Sequence, residues 1–125
     1  MKALKLLVLS LLFVAGQQAF GQNIMVHNNQ TFTVDANFNF APPCGTTVTN
    51  NPPMSPTVTP YTFGCPLRTI DVTFVDPTCP PPPTPVTFTI NFTTNPTDYF
   101  YTLCNGQIVH FHIHFNGVDY IMDIN

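Results

Sequence analysis

His110, His112 and His114 alternate with Phe111 and Ile113 near the end of this 125-residue chain, with Asp119 and Asp123 close behind. No other group of residues in the sequence is as able to do chemistry. On an extended strand, residues i and i+2 share a face about 6.6 Å apart, from a rise of ~3.3 Å per residue. Two imidazoles at that separation can converge on one metal ion. His110 and His114 are ~13 Å apart on the same rise, too far for all three to meet. A divalent-metal site would therefore be a His-x-His pair from His110, His112 and His114, completed by Asp119 or Asp123 from the next strand. The other reading of these residues is a solvated binding face that includes Tyr99 and Tyr101. Aromatic rings beside carboxylate acceptors suit a sugar or a surface partner.

Catalysis has little to work with. Ser55 is the one serine after Ser10, and it lies in a proline-rich stretch outside any nucleophile-elbow motif. Asp119 and Asp123 are ~13 Å apart along a strand, whereas paired glycosidase carboxylates sit roughly 5 to 9.5 Å apart. There is no phosphate-cradling glycine loop and no dinucleotide fingerprint. The sequence predicts no enzyme, and no cofactor apart from the ion just described.

Composition narrows the partners. Only 7% of residues are charged, against roughly 25% in an average globular protein. Lys2, Lys5 and Arg68 are the only cations besides histidine, and all six acids are aspartates. A body with one arginine cannot neutralise a phosphate backbone, which excludes nucleic acid. With 44% apolar residues, the chain can form a core, which argues against disorder.

The N-terminus reads as an export signal. A basic Met1–Lys5 precedes an apolar run, Leu6–Gly16, and Ala19-Phe20-Gly21 supplies small residues at a cleavage site. The run is much shorter than the ~20 residues that span a bilayer. The expected organisation is a signal peptide over 1–21 and one secreted domain over 22–125, with no membrane span in the mature chain. Four cysteines, Cys44, Cys65, Cys79 and Cys104, fall in that domain without C-x₂₋₄-C knuckles. An even count in a small exported domain predicts two disulfides rather than zinc, leaving no thiolate nucleophile.

The elements that must position these residues are strands. Apolar residues alternate with Thr, Asn and Asp in Thr31–Phe40, Thr69–Asp76 and Val86–Thr93, the period-two pattern of a sheet with one dry face. The proline-rich Ala41–Arg68 is too long for a bare loop and predicts edge strands at Thr46–Thr49 and Thr57–Phe63. Asn105-Gly106 and Asn116-Gly117 are hairpin signals. They predict a three-stranded meander of Asp98–Cys104, Gln107–Phe115 and Val118–Ile124.

If both hairpins turn on two residues, Tyr101 faces His110, Tyr99 faces His112, His114 faces Asp119 and His110 faces Asp123. In an up-and-down series of strands, Cys44 and Cys65 share one end of the domain, and Cys79 and Cys104 share the other. This favours the pairs Cys44–Cys65 and Cys79–Cys104. The fold class is all-β: a small antiparallel β-sandwich of immunoglobulin-like size, with about seven or eight short strands and two disulfides.

Function is then expected to be extracellular and non-catalytic. One expectation is an adhesion-type module that recognises a glycan or a surface protein. The alternative is a self-assembling matrix or fibre protein, a homo-oligomer or filament. Strand edges are normally guarded by charge, and Phe88–Thr93 and Phe111–Phe115 combine high β-propensity with little charge and no proline.

Overall fold

A computed structural model describes residues 22–61, 64–91 and 98–125. The expected signal peptide, 1–21, lies outside the described residues, as do positions 62–63 and 92–93 of two expected strands. The described residues form nine strands: β1 (Gln22–Asn28), β2 (Val34–Phe40), β3 (Thr46–Asn51), β4 (Ser55–Tyr61), β5 (Leu67–Val75), β6 (Pro85–Asn91), β7 (Asp98–Thr102), β8 (Ile108–Phe115) and β9 (Tyr120–Ile124). They form a five-stranded sheet, β4-β1-β9-β8-β7, and a four-stranded sheet, β3-β2-β5-β6. The protein is all-β in two sheets, as the alternating pattern predicts.

The alternation decides which side chains meet between the sheets. On β2, Val34, Ala36, Phe38 and Phe40 are buried while Asp35, Asn37 and Asn39 turn outward. On β8, Val109, Phe111 and Ile113 are fully buried. Phe74 stacks on Phe32 with ring centroids 5.1 Å apart and meets Tyr101 edge-on at 5.2 Å. Truncating a buried phenylalanine in such a core costs about 3–5 kcal/mol.

Two features depart from expectation. β1 is a strand, and it lies between β4 and β9. Its pairing with β9 is parallel, whereas every other pairing between the described strands is antiparallel. Met25 hides the alternation of β1: Ile24 and Val26 point into the core, and Met25 between them sits in register with Val58 and Ile121. The strands of the proline-rich stretch do lie at sheet edges. β3 ends one sheet, and β4, carrying Pro56 and Pro60, ends the other. An edge is where a residue without an N–H does least harm to the ladder.

The disulfides are Cys44–Cys65 and Cys79–Cys104, with Cα–Cα distances of 6.1 and 5.0 Å. The second is braced by Asp76, a buried carboxylate. Asp76 accepts hydrogen bonds from the Thr78 hydroxyl (2.7 Å), the Thr78 N–H (2.8 Å) and the Cys104 N–H (2.8 Å). Burial pushes its pKa up, but these hydrogen bonds outweigh burial and hold it below the ordinary carboxylate value. At the other end of the molecule the buried Tyr61 hydroxyl donates to Gln22 Oε1. Burial, then the neighbouring Tyr120 and Asp119, raise the Tyr61 pKa well above the usual phenol value.

Candidate functional site

Both Asn-Gly pairs turn the chain, but neither does so as a two-residue Asn-Gly hairpin. At the first, Gly106 N–H donates to Leu103 O (2.8 Å) and Leu103 N–H to Gln107 O (2.8 Å), with Gly106 at φ 86°. That is a turn on Cys104 and Asn105 followed by a glycine bulge, the usual three-residue solution. It displaces β7 by one residue, and a one-residue slip turns every side chain to the opposite face. Phe100 therefore lies opposite His110, and Asp98 opposite His112.

Tyr99 and Tyr101, expected beside the histidines, face the core instead. Tyr99 stacks on Phe88 with centroids 3.8 Å apart. Phe100, between them, turns to the outer face and is 62% exposed.

At the second turn the centre is Gly117-Val118, with Gly117 at φ 97° and Asn116 N–H donating to Asp119 O at 3.1 Å. The register moves by two, which keeps the faces and changes the partners. His112 pairs with Asp123, His114 with Ile121, and His110 exchanges backbone hydrogen bonds with Asn125. The expected pairs His114–Asp119 and His110–Asp123 do not form. Asp119 instead accepts from the Asn23 N–H (2.9 Å) and Nδ2 (3.2 Å), tying the turn to β1.

The outer face of the five-stranded sheet thus gathers all four histidines of the chain. His110 Nε2 lies 2.6 Å and His112 Nδ1 2.8 Å from the same atom, Asp98 Oδ1. His27 Nδ1 lies 2.9 Å from Asp123 Oδ1, because the parallel pairing puts His27 beside Asp123. His114 Nδ1 is 4.0 Å from Asp123 Oδ2 and makes no hydrogen bond. The rings run in a row: Phe100 on His110 at 4.4 Å, His110 to His112 at 5.7 Å, His112 on His114 at 5.2 Å. Between a quarter and a half of each of these His and Asp side chains is exposed.

Asp98, Phe100 and His27 were not among the residues expected here. Asp98 and Phe100 follow from the bulged turn, which an Asn-Gly pair permits as readily as a two-residue one. His27 follows from a long-range parallel pairing, of which local sequence carries no sign.

The opposite outer face is of another kind. Asn39 Nδ2 donates to Thr69 Oγ1 (3.0 Å) and Asp71 Oδ2 (2.9 Å), Thr89 Oγ1 to Asp71 Oδ1 (2.6 Å), and Asn50 Nδ2 to Asp35 Oδ1 (2.9 Å). Its polar groups are largely occupied by one another.

A small, disulfide-linked β-sandwich with a histidine–aspartate face is the class of protein that the fold and site define. Neither a protein-family model, nor a curated protein, nor a solved structure matches the chain.

Proposed function

We propose that the protein is a non-catalytic recognition module working outside the cell, and that it binds its partner with the outer face of the five-stranded sheet. The observation that carries this reading is the concentration of all four histidines, Asp98 and Asp123 on that face, beside the exposed ring of Phe100. The exposed Phe100 ring, stacked on His110 with the Asp98 carboxylate bound to the same imidazole, offers an aromatic ring beside an acceptor, which suits the apolar face and hydroxyls of a sugar. Both disulfides fit an oxidising compartment. No helix among the described residues is long and apolar enough to cross a membrane.

A glycan array probed with the folded protein tests the reading. Binding should be lost with Phe100→Ala and reduced with Asp98→Asn. It should be unaffected by Thr73→Ala, which alters the opposite face. Binding that survives Phe100→Ala and fails with Thr73→Ala would reverse the assignment of faces.

Self-assembly is supported by a different feature. Among the described strands β6 ends the four-stranded sheet, and none of its residues is charged, so its outer edge lacks the charges that usually guard against pairing. Elution volume that falls as concentration rises would favour this reading; a constant volume favours the recognition module.

A further inference from the structure

We propose that Asp98, His110 and His112 hold a divalent transition-metal ion, of the class to which zinc and copper belong. The inference shares the face assigned to recognition but does not depend on what that face recognises. The expected metal site took its carboxylate from Asp119 or Asp123; the geometry assigns it to Asp98, on the strand at the other side of β8.

Convergence is the main argument. One donor atom from each of the three residues lies within 4.8 Å of the others. The two imidazole nitrogens point at one carboxylate oxygen, at 2.6 and 2.8 Å. A tetrahedral ion with bonds of ~2.0–2.1 Å separates its donor atoms by about 3.3 Å. The two nitrogen–oxygen separations therefore need to widen by less than ~1 Å to admit an ion.

Two further features prepare the site. The ring of His110 is held by its stack on Phe100, at 4.4 Å and only 7° from parallel. Asp98 lies on β7, an edge strand of its sheet, and its side chain is 43% exposed, so an ion reaches it from solvent without the fold opening.

Donor chemistry sets the metal. Two imidazoles and one carboxylate suit zinc, copper, nickel or iron, whereas calcium and magnesium call for more oxygen ligands. Three protein ligands leave coordination positions for water or for a donor atom of a bound partner.

The other clusters of the molecule are poorer candidates. At the far end of the same face, His27 and His114 approach different oxygens of Asp123, at 2.9 and 4.0 Å, so their nitrogens diverge. Asp76, Cys79 and Cys104 also lie close together, but both sulfurs are consumed in the disulfide.

The test is a calorimetric titration of Zn²⁺ into the folded, disulfide-bonded protein after treatment with a chelator. One ion per chain is expected. Asp98→Asn, His110→Gln and His112→Gln should each weaken binding about tenfold or more, while His27→Gln should leave it unchanged. Ca²⁺ should not compete. Cu²⁺ bound to the unaltered protein should show two nitrogen ligands by electron paramagnetic resonance, a readout that needs no variant to fold.

No zinc binding tighter than ~1 mM, an equal loss with His27→Gln, or effective competition by Ca²⁺ would overturn the assignment. The titration contains no glycan, so its failure leaves the recognition reading standing. An array without hits, beside an intact zinc stoichiometry, would do the reverse.

Discussion

Phe100 lies flat on His110, with ring centroids 4.4 Å apart and planes 7° from parallel. The pair exists because the turn at Cys104–Gly106 carries a glycine bulge, which sets Phe100 rather than Tyr101 opposite His110. One extra residue in a turn therefore decides which aromatic rings of β7 meet solvent and which meet the core.

That relationship predicts an inversion in stability. Tyr99 stacks on Phe88 and packs against the core, so Tyr99→Ala should cost roughly 3 kcal/mol, at the low end for a core aromatic. Phe100 is largely exposed and has its stack with His110 to lose, so Phe100→Ala should cost only about 0.5–1.5 kcal/mol. Urea denaturation of the two variants measures the difference. A larger loss for Phe100→Ala would restore the two-residue turn.

The sequence made the architecture legible and the site only partly so, for one physical reason. Period-two patterning reports which residues of a strand share a face, and it placed Phe32 to Phe40 and Ile70 to Phe74 correctly. The positions of Cys44, Cys65, Cys79 and Cys104 at the ends of such strands then sufficed to pair the disulfides. Cross-strand partners depend on turn type and on long-range pairing. An Asn-Gly pair is compatible with several turns, which is why Asp98 and Phe100 replaced Tyr99 and Tyr101 beside the histidines. Nothing near His27 announces that it will lie parallel to β9.

The disulfides should carry much of the stability. Their sequence separations are 21 and 25 residues. On the chain-entropy model each then contributes about 3 kcal/mol, a large share of the total for a domain of this size. Reduction under native conditions should therefore lower the thermal midpoint sharply. Cys44→Ala with Cys65→Ala, and Cys79→Ala with Cys104→Ala, should each do so separately. A midpoint unchanged by reduction would show that the two sheets hold without the bridges.

Trypsin should find the folded protein resistant between residues 22 and 125, where Arg68 is its one cleavage site. The Arg68 side chain is exposed, but its backbone belongs to β5, which lies between β2 and β6. The register with β2 shifts at this point, from Asn39 opposite Thr69 to Phe40 opposite Leu67. Just upstream, Ala41 N–H donates to Pro66 O at 2.9 Å and Cys65 is tied to Cys44. Cleavage needs several residues of extended backbone released from the sheet, so it should follow local unfolding. Mass spectrometry over time should show slow cutting that accelerates on reduction. Rapid cutting of the oxidised protein would mean that the start of β5 opens independently of the sheet.

Asp76 should make stability depend on pH in the acid range. Its carboxylate is buried and accepts hydrogen bonds from Thr78 and Cys104, which together hold its pKa below the ordinary value. In the unfolded chain those partners are gone and the group titrates near ~3.9. Between the folded and unfolded pKa values the unfolded chain binds more protons, so stability rises with pH across that window. The contribution is complete above about pH 4 and is lost as the pH falls through the folded pKa. Thr78 Oγ1 also accepts from the Asn105 N–H at 3.2 Å, so the same carboxylate organises the turn that sets the register of β7. Asp76→Asn should cost roughly 1.5–3 kcal/mol at neutral pH, the range for hydrogen bonds to a charged group. It should also flatten the acid limb of the stability profile. Denaturant midpoints measured from pH 2 to 7 on both proteins would check this. Parallel profiles would show that other carboxylates set the acid limb. A profile flattened by Asp76→Asn, together with altered amide shifts at Cys104 and Asn105, would tie the bulged turn and the face it orients to this one buried charge.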